Sequence, residues 1–544
     1  MVKMWHGRTR MGSRYVMTAV SVLAVAGLAM VAGCGGGSSG AGEPQAATDA
    51  KIPKLSWALP SPVPNLDYAQ FPGRNPVVPL VNEPLERLSS KNVYTPVLAT
   101  SVAQPNPATL VYTIRSGVTF SDGQPLTADD VVWSIRHYAA ETAASATFLP
   151  DIKNVSATGP LSVTVDLGKP DPIARGKLAS NVFVMEKQFS EAHANTLGTA
   201  AAIPVGTGPY TVAGYTAQSI VLKNNPRHWG VPPKVENIDF PIITDNNAFK
   251  LALQSGTVDG GQVADPQTLD QWRKVPGASV HTAPSTDQVF LQFNVTAPPF
   301  DDVHVRRAIA YAVDKAAYAK VGFGGNVDFL AGLVPASELA GVAGSADAAQ
   351  AFLTSLPQYP FDVAKAKAEM AQSKHPQGFS TTVEYNESTG SAKQTALVLQ
   401  QNLQAIGVRV ELKPITGQQR FAELTSGTLP PFGTGGFDAA VNDPSALLTT
   451  MVGAGNIENT ARWSTPAVAA AVSIVDSSAS TPAERWAATK TILSAVASDV
   501  PYLGLFTRPT ASVLRQGFVF AGKEGIDATD LNDGNWAYQI RAGK

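Results

Sequence analysis

The sequence predicts a mixed α/β chain folded in more than one lobe. Its 544 residues make three or four units of the roughly 150 residues typical of a domain. Short segments alternate apolar and polar side chains, as half-buried strands do, and apolar stripes at helical spacing lie between them. Residues 379–412 read as strand, helix, strand, the pattern of a parallel βαβ unit with a right-handed crossover.

Taken in order, residues 41–54 are polar and rich in Pro and Ala, and read as linker. Leu110, Tyr112 and Ile114 alternate with Val111 and Thr113 in a predicted strand, and Ser121-Asp122-Gly123-Gln124 is a turn signal. Thr127 stands as N-cap with Asp130 three residues on, a capping-box spacing. The helix that it opens puts Val131, Ile135 and Tyr138 on one face. Leu161, Val163, Val165 and Leu167 alternate strictly and read as a second strand. Leu251 to Gly256 reads as a helix end feeding a strand at Val258. Phe379, Val383 and Tyr385 begin the βαβ unit, and Ala396, Leu399, Leu403 and Ile406 make its helix stripe. Gly407 stands where a C′ glycine belongs, and Val408, Val410 and Leu412 form the returning strand.

Composition narrows function. Hydrophobic residues are 44% and charged residues 15%, which excludes a disordered acidic tail and a many-span membrane protein. The formal net charge is −2. Lys3, Arg8, Arg10 and Arg14 precede residue 34 with no acid among them, so the remaining chain is more acidic still. An acidic body lacks the clustered Lys and Arg that phosphate binding needs, so nucleic acid is not expected as a partner. The single cysteine excludes a disulfide framework.

That cysteine belongs to the N-terminal segment. Arg8, Arg10 and Arg14 form a basic region, an apolar run extends from Tyr15 to Val31, and Ala32-Gly33-Cys34 follows. Small residues before a cleavage point make a secretory signal. The Cys after Ala-Gly resembles the lipobox of bacterial lipoproteins, in which the thiol takes a diacylglycerol and becomes the new N-terminus. The glycine- and serine-rich tract 35–40 would then tether a globular body to the membrane. Residues 1–33 are therefore expected as a signal peptide and 34–54 as a flexible tether. The predicted location is the outer face of the bacterial cell membrane.

Catalytic patterns are absent from the sequence. No Gly-Lys pair is followed by Ser or Thr, so no Walker A loop is present. Gly36-Gly37-Ser38-Ser39-Gly40 matches a nucleophile elbow in letters, but stands in a glycine linker rather than between strand and helix. The seven histidines never pair at metal-ligand spacing. Asp129-Asp130 and Asp301-Asp302 stand at predicted helix starts, where acids complement the dipole. No enzyme, metal or cofactor is expected.

Several stretches resemble a known family. Val111 through Val131, with Phe120-Ser121-Asp122-Gly123 at its centre, is similar to a signature of the family 5 extracellular solute-binding proteins, the peptide- and nickel-type receptors of ABC importers. Pro204 to Tyr210, Leu222 to Gly230, Phe290 to Asn294, Pro299 to Ile309, Val313 to Lys315 and Phe361 to Lys367 follow in the family's order. The resemblance implies a two-lobed periplasmic-binding-protein-like fold with a hinge and an extra subdomain in the first lobe. It implies lobe I over 55–290, lobe II over 291–505 and a return to lobe I over 506–544, with crossings near Phe290–Asn294 and Tyr502–Arg508. It further implies a peptide-like or other small polar solute held in the cleft, and ABC permease subunits as partners.

The resemblance also points to site residues. In the peptide receptors, an aromatic residue before an acid-Pro pair packs on the ligand, and an aspartate three residues later pairs with its α-amino group. The matching stretch runs from Gly436 to Pro444, with Phe437 in the aromatic place and Ala440 in the aspartate's. A methyl group cannot bind an ammonium, so Asp438 or Asp443 is the expected substitute, with Asn442 beside them. Asp443 reads equally as the cap of a helix from Pro444. Glu83 matches a glutamate that the family places near the cleft, or is an exposed loop carboxylate. Phe432 lines the cleft or packs on its own loop. An envelope regulatory or scaffolding lipoprotein with a degenerate cleft is the alternative role, favoured by Ala440.

Overall fold

In the computed structural model, residues 46–73, 75–387, 391–439, 441–522 and 525–544 are described. Cys34 with its lipobox, and Ala440, lie outside them.

The first lobe is built on a seven-stranded mixed sheet. Its strands run in the order Ala278–Ala283, Thr510–Arg515, Gly260–Gln262, Leu55–Ala58, Asn237–Pro241, Ser219–Asn224 and Tyr210–Tyr215. Leu55–Ala58 pairs in parallel with both neighbours, and the other pairings are antiparallel. Trp57 is fully buried here with Trp536 from the C-terminal segment, their ring centroids 5.0 Å apart. The linker reading extends too far along the chain. Ala47–Thr48 already pairs with Ile540–Gly543, and Ile52 is buried, because its apolar side chain reaches the lobe's core.

The subdomain of this lobe is the antiparallel sheet Ala99–Asn106, Thr109–Ile114, Ser162–Leu167, Ile152–Gly159. The two strands read from alternation lie side by side, with Leu110 opposite Val165 and Tyr112 opposite Val163. The helix Ala128–Ala139 covers them, with Val131, Ile135 and Tyr138 fully buried. Its start is the expected capping box, in which Asp130 accepts from the Thr127 backbone N–H at 2.9 Å.

The second lobe carries the antiparallel sheet Asp328–Phe329, Tyr502–Thr507, Gln288–Phe293, Phe432–Phe437. Every residue of its two central strands is buried. Beside it, Ser380–Asn386 and Arg409–Ile415 pair in parallel around the helix Ala392–Gln404, and the expected stripe Ala396, Leu399, Leu403 and Ile406 is buried. Gly407 has φ +82°, a conformation other residues seldom adopt, and turns the chain into the returning strand. Helix Val303–Ala312 starts at Asp302, which accepts from the His304 N–H at 2.9 Å.

The crossings sit beside the expected segments. All of Gln288–Phe293 is hydrogen-bonded within the second lobe's sheet, so the first crossing is the preceding segment 284–287. The second is 508–509, between Tyr502–Thr507 in one lobe and Thr510–Arg515 in the other. Arg508 ties the two crossings together, its guanidinium 2.6 Å from the Asp287 carboxylate.

Candidate functional site

A cavity of about 720 Å³ lies between the lobes, with the first crossing as its floor. That is within the usual range for small-molecule sites. Thr282 to Thr286 line it at the hinge. The first lobe contributes Leu88 to Lys91, the end of helix Ala174–Asn181 and the helix Ala528–Asp533. Tyr68 and Phe148 line it farther along. The second lobe contributes Ser337, Asp438, Ala439 and Asn442.

Each position follows from local structure. Asp438 leaves the end of strand Phe432–Phe437, and the hinge holds it: Thr286 Oγ1 lies 3.0 Å from the Asp438 carboxylate and 3.0 Å from the Ala439 carbonyl. Gly435 in that strand faces the Phe290 ring, and a Cβ there would stand 2.3 Å from it. Only glycine lets the strand approach so closely. Across the cavity, the short helix Ala528–Asp533 is closed by a capping box between Asp527 and Asp530. Ser90 Oγ donates to the Asp527 carboxylate at 2.8 Å, joining that helix to the loop after strand Glu86–Leu88. Burial pushes the Asp533 carboxyl up to about 8, with Arg87 acting against it. Tyr68 is also buried, which raises its phenol to about 12, and its hydroxyl donates to Asn181 Oδ1 at 3.1 Å.

The lobes touch beside the cavity and at further points. Asn442 Nδ2 donates to the Ser90 carbonyl, and Asn92 Nδ2 donates to the Asn442 carbonyl. Val441 of the second lobe packs into a first-lobe pocket of Leu88, Ile173 and Ala179. Gly176 makes room for it, since a Cβ there would stand 2.8 Å from Val441. Elsewhere Lys169 meets Asp476 at 3.1 Å and Ser478 donates to the Pro107 carbonyl at 2.7 Å. On the remaining flank Arg273 donates to Asn326 at 2.9 Å. This is a closed arrangement.

Of the residues expected at the site, Asp438 and Asn442 line the cavity. The other four have different surroundings. Asp443 caps helix Pro444–Val452 and forms a two-bond ion pair with Arg485. Phe432 is fully buried between Phe293 and Phe300, at centroid distances of 5.3 and 5.5 Å. Phe437 is half-buried, paired with Gln288, and packs on the second lobe's helical core. Glu83 is buried inside the first lobe, where its carboxylate accepts from Thr207 Oγ1 at 2.9 Å and Trp229 Nε1 at 2.8 Å, with His228 Nε2 at 3.3 Å. This network draws together two of the sequence motifs, 204–210 and 222–230.

The match to known proteins is broad. The family model described as bacterial extracellular solute-binding proteins, family 5 (middle), matches residues 93–459. The chain belongs to that family. Relatives include the glutathione-binding protein GsiB of Salmonella paratyphi A, 29% identical over 326 residues, and GsiB of Escherichia coli strain K12, 28% identical over 326 residues. The alignment covers 58% of this chain and 60% of each of those proteins, so the chain spans about three-fifths of the length of the curated relatives it matches. Among solved structures, CtaP of Listeria monocytogenes aligns with a TM-score of 0.76 at 20% identity, covering 91% of this chain and 100% of CtaP. DppA of Helicobacter pylori, in complex with the peptide STSA, aligns at 0.73 and 19%, covering 91% and 99%. These likenesses establish the two-lobed fold. The family groups the chain with solute-binding proteins rather than with enzymes. Among the described residues no helix is long and apolar enough to cross a membrane.

The helix Ala528–Asp533 was not legible as part of the site. The spacing of Asp527 and Asp530 could have announced a capped helix. Nothing local says that a segment more than 400 residues from Leu88 lies beside it.

Proposed function

We propose that this chain is a lipid-anchored receptor that encloses a peptide-like solute between its lobes and delivers it to an ABC permease. The observation that carries this reading is the cavity of about 720 Å³, flanked by direct contacts between the lobes and lined by the hinge. Closure around an extended solute excludes water and strengthens polar contacts to it. Asp438 is the carboxylate offered to the solute's ammonium, because Asp443 is committed to Arg485 and to its helix.

Mass spectrometry of the solute that co-purifies tests the solute class. Calorimetry then compares one peptide with a free and with an acetylated amino terminus. Asp438→Asn should weaken the free peptide by about 2–5 kcal/mol, the usual cost of unpairing a buried charge, and leave the acetylated form nearly unchanged. Equal losses for both would remove Asp438 from the role. Lipid anchoring has its own test: Cys34→Ser should leave an unacylated precursor without stable membrane association, and normal acylation in that variant would refute it.

The scaffolding alternative draws on Ala440, which replaces the aspartate of the peptide receptors. A solute that raises the melting temperature would exclude a degenerate cleft.

A further inference from the structure

Three first-lobe side chains on the cavity wall are uncommitted. Lys91 lines the cavity and is exposed, so it stands where the cavity meets solvent. It is the one cation among the described lining residues, and its ammonium pairs with no described residue. Thr529 and Asn532 both line the cavity from helix Ala528–Asp533, three positions apart and so on one helix face. Neither side chain hydrogen-bonds a described residue. Asn532 Oδ1 is buried, which leaves the N–H₂ end of its amide to the cavity. The acids of this helix are engaged among themselves and with their neighbours. Asp527 accepts from Ser90 Oγ and the Asp530 N–H, and Asp530 accepts from the side-chain amides of Asn535 and Gln539. The contact between Ser90 and Asp527 also brings the loop that carries Lys91 against the helix, so the three free groups share one part of the wall.

An ammonium, a hydroxyl and an amide N–H₂ are all donors, and one of them carries charge. A carboxylate is acceptor-only and has lone pairs enough for several donors at once. An uncharged carbonyl would leave the ammonium unanswered. Asp533 does little to oppose an anion here, because burial pushes its carboxyl up to about 8 and it holds a proton at neutral pH. Resting on the reading of this cavity as the solute site, we infer that Lys91, Thr529 and Asn532 receive a carboxylate of the solute. Asp438 belongs to the other lobe. A zwitterionic solute therefore engages one lobe by each end, and both contacts are complete only when the lobes are together.

Calorimetry on the full chain at low salt tests this with three probes: Ala-Ala-Ala, its C-terminal amide and its N-acetyl form. The free peptide should bind about tenfold or more tighter than the amide. Lys91→Gln, at an exposed position, should bring the free peptide to within about threefold of the amide and leave the amide's own affinity unchanged. Thr529→Val keeps the side chain's shape and should give a smaller loss of the same selective kind. Melting curves check that both variants fold. Equal affinity of the parent for the free peptide and the amide would overturn the carboxylate contact while leaving the peptide reading intact. So would a Lys91→Gln variant that weakens the two probes equally. Undiminished binding of the N-acetyl form, with the amide weak, would support the carboxylate contact and remove the ammonium contact at Asp438. Failure of all three probes to bind would overturn both readings.

Discussion

The Asp443 carboxylate accepts from the Ser445 N–H and faces both terminal nitrogens of Arg485, whose side chain is 10% exposed. Asp443→Asn keeps an acceptor for the helix start and leaves the guanidinium without its counter-charge. Breaking a buried pair in this way should cost about 3–5 kcal/mol, read by urea denaturation, with solute affinity little changed. A variant as stable as the parent would contradict the pairing. Asp533 makes the opposite case. Burial pushes it up to about 8; Arg87 and the Asn535 N–H oppose the shift, and Asp530 and Asp527 add to it. In the unfolded chain an aspartate titrates near ~4. Between these values the folded chain holds a proton that the unfolded chain has lost, so stability falls as pH rises through that window. Glu338, pushed well up by burial, contributes with the same sign. Asp533→Asn should therefore flatten, without abolishing, the fall in melting temperature between pH 5 and pH 8. An unchanged slope would show that Asp533 is ionised across the range.

The strand Phe432–Phe437 shows an element chosen for close approach. Its glycines lower strand propensity, yet Gly435 lies directly against the Phe290 ring. Gly435→Ala should cost about 1–3 kcal/mol from overpacking, and should weaken solute binding as well, because the same strand delivers Asp438. Wild-type stability in that variant would mean that the ring moves aside freely. The helix Ala128–Ala139 shows the more ordinary case, an amphipathic face seated on a sheet. Ile135→Ala, at a fully buried position, should cost about 2–5 kcal/mol through lost burial and the cavity left behind. Because that helix does not line the cavity, solute affinity should stay near the parent's once the variant is folded.

At the scale of the whole molecule, the proposed clamp implies an equilibrium between this arrangement, held by lobe contacts, and an open form. The Val441 plug and the Asn442 bridges favour closure even before a solute adds its own contacts. Val441→Ser should shift the population towards the open form and weaken apparent affinity by the fraction of closed molecules lost, about tenfold for each 1.4 kcal/mol. Small-angle scattering is the direct readout. A bound solute should lower the radius of gyration of the parent chain, and the solute-free variant should show a larger radius than the solute-free parent. Identical curves with and without a tightly bound solute would remove the clamp.

Local pattern determined much of this molecule. Alternation announced strands Thr109–Ile114 and Ser162–Leu167, the 3.6-residue stripe announced Ala392–Gln404, and the spacing of Thr127 and Asp130 announced a helix start. These succeed because burial on one face and capping act between residues a few positions apart. Two of the family motifs meet inside the first lobe, where Thr207 of 204–210 and His228 and Trp229 of 222–230 hydrogen-bond the buried Glu83 carboxylate. The candidate site was decided by tertiary structure. Asp438 and Asn442 were in sight from the sequence, but Asp443 could not be separated from them until Arg485, some 40 residues away, was seen to claim it. Asp527 and Asp533 reach the cavity because the chain returns to the first lobe after Arg508 and lays helix Ala528–Asp533 beside the loop at Ser90. A cavity wall assembled from segments hundreds of residues apart leaves no periodicity and no spacing to read, because what joins its parts is packing between elements.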